Sequence, residues 1–269
     1  MDVISLGFRT DLALLQLGGT EITERGDHLV IRTPHNPTCR WGNFLLLAAP
    51  PATGDAERWL DRFASEFPAA EHVAIGVDGT AVSAADVAGF VENDLRADVA
   101  TVMTATSVRP PPRPNTQATY RMLTSDDDWA QSVELSMACN DANEDPVGHR
   151  TFVQRKRRTE RSLTESGHGG WFGGFLAGRL ATQMGLFAAS PGLARFQWVE
   201  THPDVRGQGL AASLVHHVSG YGFETLGAKT LVMVADPEYV AIRVYRSVGF
   251  AAAESQTECE RHTPWRGRP

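Results

Sequence analysis

Between residues 109 and 115 the chain reads Arg109-Pro110-Pro111-Pro112-Arg113-Pro114-Asn115, and its prolines remove four backbone donors from one short stretch. Neither an α-helix nor a central strand runs through such a segment, which favours an extended polyproline conformation. The chain is expected to divide here, with residues 1–108 as one domain, 109–116 as a linker and 117–269 as a second domain. A length of 269 residues agrees with two compact domains. With 42% hydrophobic and 21% charged residues, the composition excludes a fibrous repeat or a mainly disordered chain.

Charge and cysteine content narrow the partners. The formal net charge of −7 offers no overall positive field, so neither nucleic acid nor an anionic membrane is an expected partner. Cys39, Cys139 and Cys259 lie far apart without C-x-x-C spacing, which points to free thiols in a reducing, cytoplasmic setting and to no metal site. Leu12 to Leu17 is apolar, but Asp2 and Asp11 break the order of a secretory signal. No window approaches the ~20 apolar residues of a membrane span.

Hydrophobic patterning predicts an α/β chain. In the first half, strands are expected over His28 to Thr33, Trp41 to Ala49, His72 to Val77 and Val99 to Ser107, with helices over Ala56 to Phe67 and Ala84 to Asp94. In the second half, a strand over Ala118 to Leu123 precedes a Ser125-capped helix towards Cys139 and a second helix from about His149 to Glu165. A hairpin follows, with strands Trp171 to Leu176 and Leu180 to Phe187 turned at Ala177-Gly178-Arg179. Then come a strand from Phe196 to Thr201, a helix from Gly209 to Leu226, a strand from Thr230 to Ala235 and a helix from Tyr239 to Val248. Alternation of this kind makes a mixed sheet with flanking helices.

Chemistry concentrates in Val199-Glu200-Thr201-His202-Pro203-Asp204-Val205-Arg206-Gly207-Gln208-Gly209-Leu210-Ala211, where a strand turns through a Gly-rich loop into a helix. Gly207 and Gly209 let the backbone approach a ligand, and the first N–H groups of the helix point at an anion. By itself this pattern fits a diphosphate site or a tight connection. G-x-x-x-x-G-K-[ST] is absent, and no strand leads into G-x-G-x-x-G, which argues against ATP and NAD.

Arg206, Gly209 and Ala211 resemble the Q/R-x-x-G-x-G/A pyrophosphate loop of the GCN5-related N-acetyltransferases. Ala241-Ile242-Arg243-Val244-Tyr245-Arg246-Ser247-Val248-Gly249-Phe250 resembles that superfamily's closing A-x-x-x-Y-x-x-x-G-F element. The resemblance covers about residues 117–255. It implies a mixed, mostly antiparallel twisted sheet, splayed at a cofactor cleft, and a more faintly similar, degenerate domain in the first half, whose Pro50 to Asp55 loop lacks the motif. The implied activity is transfer of an acyl group, most simply acetyl, from acetyl-CoA to the primary amine of a small molecule or peptide by direct attack in a ternary complex. A non-catalytic acyl-CoA sensor is the alternative, and the oligomeric state stays open.

The same resemblance suggests site residues. Backbone atoms of Val199 and Thr201 are expected to meet pantetheine, and Arg206, Gly207, Gln208, Gly209, Leu210 and Ala211 the pyrophosphate. Glu238 stands where the family often has Asn, so that cofactor contact is altered. Tyr245 is the expected general acid, since a phenol with an ordinary pKa of about 10 is protonated at neutral pH; the other reading is a core tyrosine. Glu200 or His202 is the expected base. Carboxylates in the loop Asn140 to Asp145 suit either a cationic acceptor or a solvated loop. Arg155-Lys156-Arg157-Arg158 reads as a solvated helix face. His216 and His217 cannot face the same way on a helix and build no metal site.

Overall fold

The computed structural model describes residues 1–140, 145–238 and 241–264. Two compact units divide the chain. The first holds Met1–Val102, Val234–Pro237 and the stretch from Ala253 on; the second holds Met103–Met233 and Glu238–Ala252. In chain order the elements are α1 (Leu6–Leu17), β1 (Glu21–Glu24), β2 (His28–Arg32), β3 (Phe44–Leu47), α2 (Ala56–Glu66), β4 (Val73–Val77), α3 (Ala88–Val91) and β5 (Arg96–Ala105). There follow β6 (Thr119–Met122), α4 (Asp126–Ala138), α5 (Pro146–Glu165), β7 (Gly169–Leu176), β8 (Arg179–Ser190) and β9 (Leu193–Thr201). The last are α6 (Leu210–Glu224), β10 (Thr230–Ala235), α7 (Ala241–Val248) and β11 (Ala251–Arg261).

In the first unit the strands lie in the order β1-β2-β3-β4-β11-β5. β1–β2, β2–β3 and β4–β11 pair antiparallel, and β3–β4 pair parallel. Strands β2, β3 and β4 bury Val30, Ile31, Leu45, Leu46, Leu47 and Ile75 beneath Phe8 and Leu12 of α1 and Trp59, Leu60 and Phe63 of α2. Two of these elements carry no local signal. The N-terminus of α1 is satisfied from afar: Asp78 accepts from Ile4 N (2.7 Å), Ser5 N (3.0 Å) and Ser5 Oγ (2.7 Å), and Glu254 accepts from Leu6 N (2.7 Å). Strand β11 is largely polar, yet it pairs along β4 from Thr257↔Val77 to Arg261↔Val73. That pairing places the stretch from Ala253 in the first unit, whereas a single cut at the proline-rich segment assigns it to the second.

Local readings are adjusted in three places. Arg40–Gly42 form a 3-10 turn, so the strand expected from Trp41 begins at Phe44. The helix expected over Ala84 to Asp94 is a 3-10 turn, Ala84–Val87, followed by short α3, and Asp94 lies beyond it at φ 64°. Helix α5 starts at Pro146 rather than near His149, because Asp145 accepts from Gly148 N (2.9 Å) and proline suits a first helical position.

In the second unit the order is β10-β9-β8-β7-β6, with β10 parallel to β9 and the other pairs antiparallel. Ala177 (φ 48°) and Gly178 (φ 80°) turn the β7–β8 hairpin with two left-handed residues, as a type I′ turn requires. Among the described residues, no helix is long and apolar enough to cross a membrane.

At the start of α4, Arg121 Nη1 and Nη2 donate to the Asp128 carboxylate (2.8 and 2.7 Å), while Thr124 N and Ser125 N donate to Oδ2. The guanidinium, more than the backbone, holds this carboxyl well below its ordinary range. A depressed folded-state value stabilises the fold above the unfolded carboxyl's value of about 3.9 and loses that contribution as pH falls towards the folded value. Asp128→Asn should therefore cost about 1–3 kcal/mol in urea unfolding at pH 7 and progressively less below about pH 4. Burial pushes the Cys259 thiol up to about 12, with Asp98 and Glu258 adding to the shift. Native protein treated with iodoacetamide at pH 8 should leave Cys259 unmodified, and mass spectrometry should find it alkylated only after unfolding.

Candidate active site

The ladder between β9 and β10 has three rungs, Leu193↔Thr230, Ala194↔Leu231 and Arg195↔Val232, and ends there. Phe196–Thr201 continue without a β10 partner. On its other side β9 pairs with β8, but the register slips between Gln183↔Glu200 and Gly185↔Gln197. Trp198 lies in this bulge at φ 47°, a left-handed conformation rare for a bulky side chain, and stays 37% exposed. A bulge re-aims the strand, and an unpaired edge leaves backbone groups for a ligand.

After Thr201 the chain passes through a 3-10 turn, Pro203–Val205, whose preceding His202 accepts at Nδ1 from Asp204 N (3.3 Å). Arg206 is extended and donates from Nε to the Thr201 carbonyl (3.1 Å). Gly207 (φ 76°) and Gly209 (φ 77°) are both left-handed, and α6 begins directly afterwards. A β-carbon on Gly207 would meet nothing within 4 Å, so open space lies on that side of the loop. One on Gly209 would lie 2.4 Å from the Arg113 carbonyl oxygen. The first N–H groups of α6 have no intrahelical acceptor, and the helix dipole favours an anion beside them.

The proline-rich segment is tied down at both ends within this unit. Arg109 donates from N to Val248 O (3.0 Å) and from its side chain to Ser247 O and Arg246 O, at the C-terminal end of α7. Asn115 donates from N to Ser213 Oγ (2.8 Å) and from Nδ2 to Gln208 O (3.0 Å), at the start of α6. It forms a strap on the loop. Between strap and helix lies a groove of about 730 Å³ lined by Pro110, Tyr120, Phe172, His217 and Tyr221 among others. Burial lowers the His217 pKa, and His216 beside it adds to the effect.

Other expected residues are placed as follows. Tyr245 is 5% exposed on α7, and Glu238 is exposed. The Thr201 carbonyl already accepts from Arg206 and from Cys139 Sγ (3.4 Å). Glu200 is held at Oε2 by Ser136 Oγ (2.7 Å), Gln183 Nε2 (2.6 Å) and Arg157 Nη2 (3.3 Å). Arg157 corrects the expectation of a solvated basic face: it is 4% exposed, ion-paired with Glu160 and stacked 4.1 Å over the Trp171 ring. Burial of this cation is possible because two carboxylates and an indole surround it. In the acidic loop, residues 141–144 lie outside the described residues, and Asp145 caps α5. No group of three or more His, Cys, Asp or Glu among the described residues is arranged to hold a metal ion.

Sequence reasoning did not find Ser136, Gln183, Trp198 or the anchoring by Asn115. An Arg three residues before a Glu on a helix, as at Arg157 and Glu160, was the only local sign of a buried pair.

Residues 109–250, more than half of the chain, match the acetyltransferase (GNAT) family, and the protein belongs to that family. Membership supports acyl transfer as its class of reaction. No curated protein matches the chain. Among solved structures it is similar to a GCN5-related N-acetyltransferase from Kribbella flavida, at 15% identity over 97% of each chain with a TM-score of 0.64. It is also similar to a functionally unknown conserved protein from Staphylococcus epidermidis, at 10% identity over 90% of this chain and 93% of that one with a TM-score of 0.67. A tandem GNAT protein from the clavulanic acid biosynthesis pathway matches at 12% identity over 94% of this chain and 88% of that one, with a TM-score of 0.56. At these identities the likeness is one of fold.

Because Gly209 is both left-handed and pressed by the strap, Gly209→Ala should lower stability by about 2 kcal/mol or more, from backbone strain and the displaced Arg113 carbonyl. Gly207→Ala carries the strain alone and should cost less. Guanidinium unfolding of the two variants measures the difference.

Proposed function

We propose that the protein transfers an acetyl group from acetyl-CoA to a primary amine of a small molecule or peptide. The observation that carries this reading is the left-handed pair Gly207 and Gly209 at the start of α6, open at Gly207, one short turn after a strand whose edge β10 leaves unpaired. N–H groups from Arg206 to Ala211, including those of Gln208 and Leu210, receive the pyrophosphate, and the Arg206 guanidinium adds positive charge. Val199 and Thr201 contribute strand backbone to the pantetheine, and Glu238 takes the place of the family's cofactor-contacting Asn. The open side of Gly207 fits a phosphate group, which a β-carbon there would crowd.

Acetyl-CoA supplies an acyl thioester when bound. Glu200 or His202 removes one proton from the amine, whose nitrogen forms the new bond to the acyl carbon as the carbon–sulfur bond breaks. Tyr245 gives its hydroxyl proton to the departing sulfur, and the proton taken from the amine restores the balance. Residues 1–108 form a degenerate domain of the same fold, with no second cofactor site. A reducing, cytoplasmic location suits the three free cysteines.

Acetyl-CoA at 100 times its Kd should stabilise the folded chain by about 2.7 kcal/mol, read as a rise in Tm, with one site per chain by calorimetry. Arg206→Glu should weaken that rise strongly. Tyr245→Phe should keep it and lower kcat by about 10²–10⁴, the usual worth of a positioned acid. An undiminished rise in folded Arg206→Glu sinks the cofactor site, and a Phe variant within about threefold of the parent returns Tyr245 to packing alone.

A further inference from the structure

Glu200 sits at the centre of a buried polar cluster drawn from α4, α5 and β8. Trp171 Nε1, which can only donate, points at Gln183 Oε1 (3.1 Å), and Ser132 Oγ donates to the same oxygen (2.5 Å). The indole N–H settles which end of the Gln183 amide is oxygen, so its Nε2 must face Glu200 Oε2, 2.6 Å away. Gln183 is fully buried. Arg157 Nη2 donates both to Ser136 Oγ (2.8 Å) and to Glu200 Oε2 (3.3 Å), and Ser136 Oγ donates to Glu200 Oε2. Three donors thus converge on one carboxylate oxygen. Oε1 has no hydrogen-bond partner among the described residues, and 13% of the side chain reaches the surface.

A buried ion pair contributes little net stability compared with apolar packing, so stability alone is a poor reason to surround Glu200 in this way. Position is a better reason. The carboxylate lies two residues after the Trp198 bulge and one before the strand end that leads into the glycine loop. His202, the other candidate base, already spends its Nδ1 lone pair on Asp204 N, which in the neutral ring leaves the proton on Nε2. Building on the acyl-transfer reading above, we infer that Ser136, Gln183 and Arg157 are positioning residues that clamp Glu200 Oε2 and present Oε1 to take the proton of the attacking amine. The groups facing the carboxylate are Arg157 of α5, which is also bound to Glu160, Lys156 beside Glu160 (3.4 Å), Gln183 of β8 and Ser136 of α4. His149 of α5 feels the Glu200 charge, which opposes the stronger effect of burial on its imidazole.

The test uses the full chain with ¹³C-labelled Glu carboxyls. The Glu200 resonance is the one missing from Glu200→Gln. Ser136→Ala, a small change that leaves Arg157 and Gln183 in place, removes one of the three donors to Oε2, so the Glu200 carboxyl resonance at pH 7 should shift away from its parental position. Gln183→Met should move it as well, and Ser136→Ala decides the matter if the Met variant does not fold. In parallel, kcat/KM for acetyl-CoA is followed against pH with whichever of tyramine, glucosamine or spermidine the parent acetylates fastest. The profile should change together with the resonance, with kcat falling more than KM rises. A resonance that stays in place in Ser136→Ala overturns the clamp. A resonance that moves while the rate profile does not overturns the base role of Glu200 alone. A parent that acetylates none of the amines and shows no Tm rise with acetyl-CoA overturns the acyl-transfer reading, and the role of the clamp with it.

Discussion

Strand β9 pairs with β10 for three residues and then continues to Thr201 along an edge that β10 does not cover. An uncovered strand edge inside a mixed sheet leaves backbone donors and acceptors without a ladder, a cost that a fold tolerates where something else fills the gap. The rest of the second unit is arranged around that edge. A bulge at Trp198 turns the strand, the glycine loop follows its end, and α6 presents its unsatisfied N–H groups beside the opening.

Supporting the edge takes two kinds of interaction that act from opposite sides. The proline-rich strap holds the loop from without: Asn115 fixes Gln208 and Ser213, and the Arg113 carbonyl occupies the space that a side chain at residue 209 would need. A segment poor in donors suits this task, because an extended proline-rich chain continues into neither a helix nor a sheet ladder of its own. From within, α4, α5 and β8 meet on Glu200 through a polar cluster of Ser132, Ser136, Arg157 and Gln183. Low local dielectric strengthens such a cluster when it is complete and penalises any gap, which keeps these side chains in one geometry.

The first unit shows the same dependence on distant partners in simpler form. Helix α1 has no side chain of its own capping its start, and the carboxylates of Asp78 and Glu254 take that place from strands well separated in sequence. Glu260 likewise gathers Trp41, Arg96 and Arg40 around a buried carboxylate on β11. Part of the acidity of the first half and of the last strand therefore serves helix termini and buried pairs rather than a solvated surface.

By itself the sequence determined the elements whose signals are local. The apolar runs of β2 to β4, the Ser125 cap, the Ala177-Gly178 turn and the strand–glycine loop–helix of residues 199–211 follow from burial, capping and left-handed glycine, all readable within a few residues. Family membership was legible for the same reason, since the two motifs that carry it are short and contiguous. Tertiary structure alone decided what α1, β11 and the basic run of α5 do. A polar strand gains stability only from neighbours on both sides, a helix capped by residue 78 carries no cap in its own sequence, and Arg157 is buried because Glu160, Glu200 and Trp171 meet it across three elements. Contacts between residues far apart in the chain leave no periodicity to read, so neither the clamp on Glu200 nor the strap on Gly209 was visible before the chain was folded.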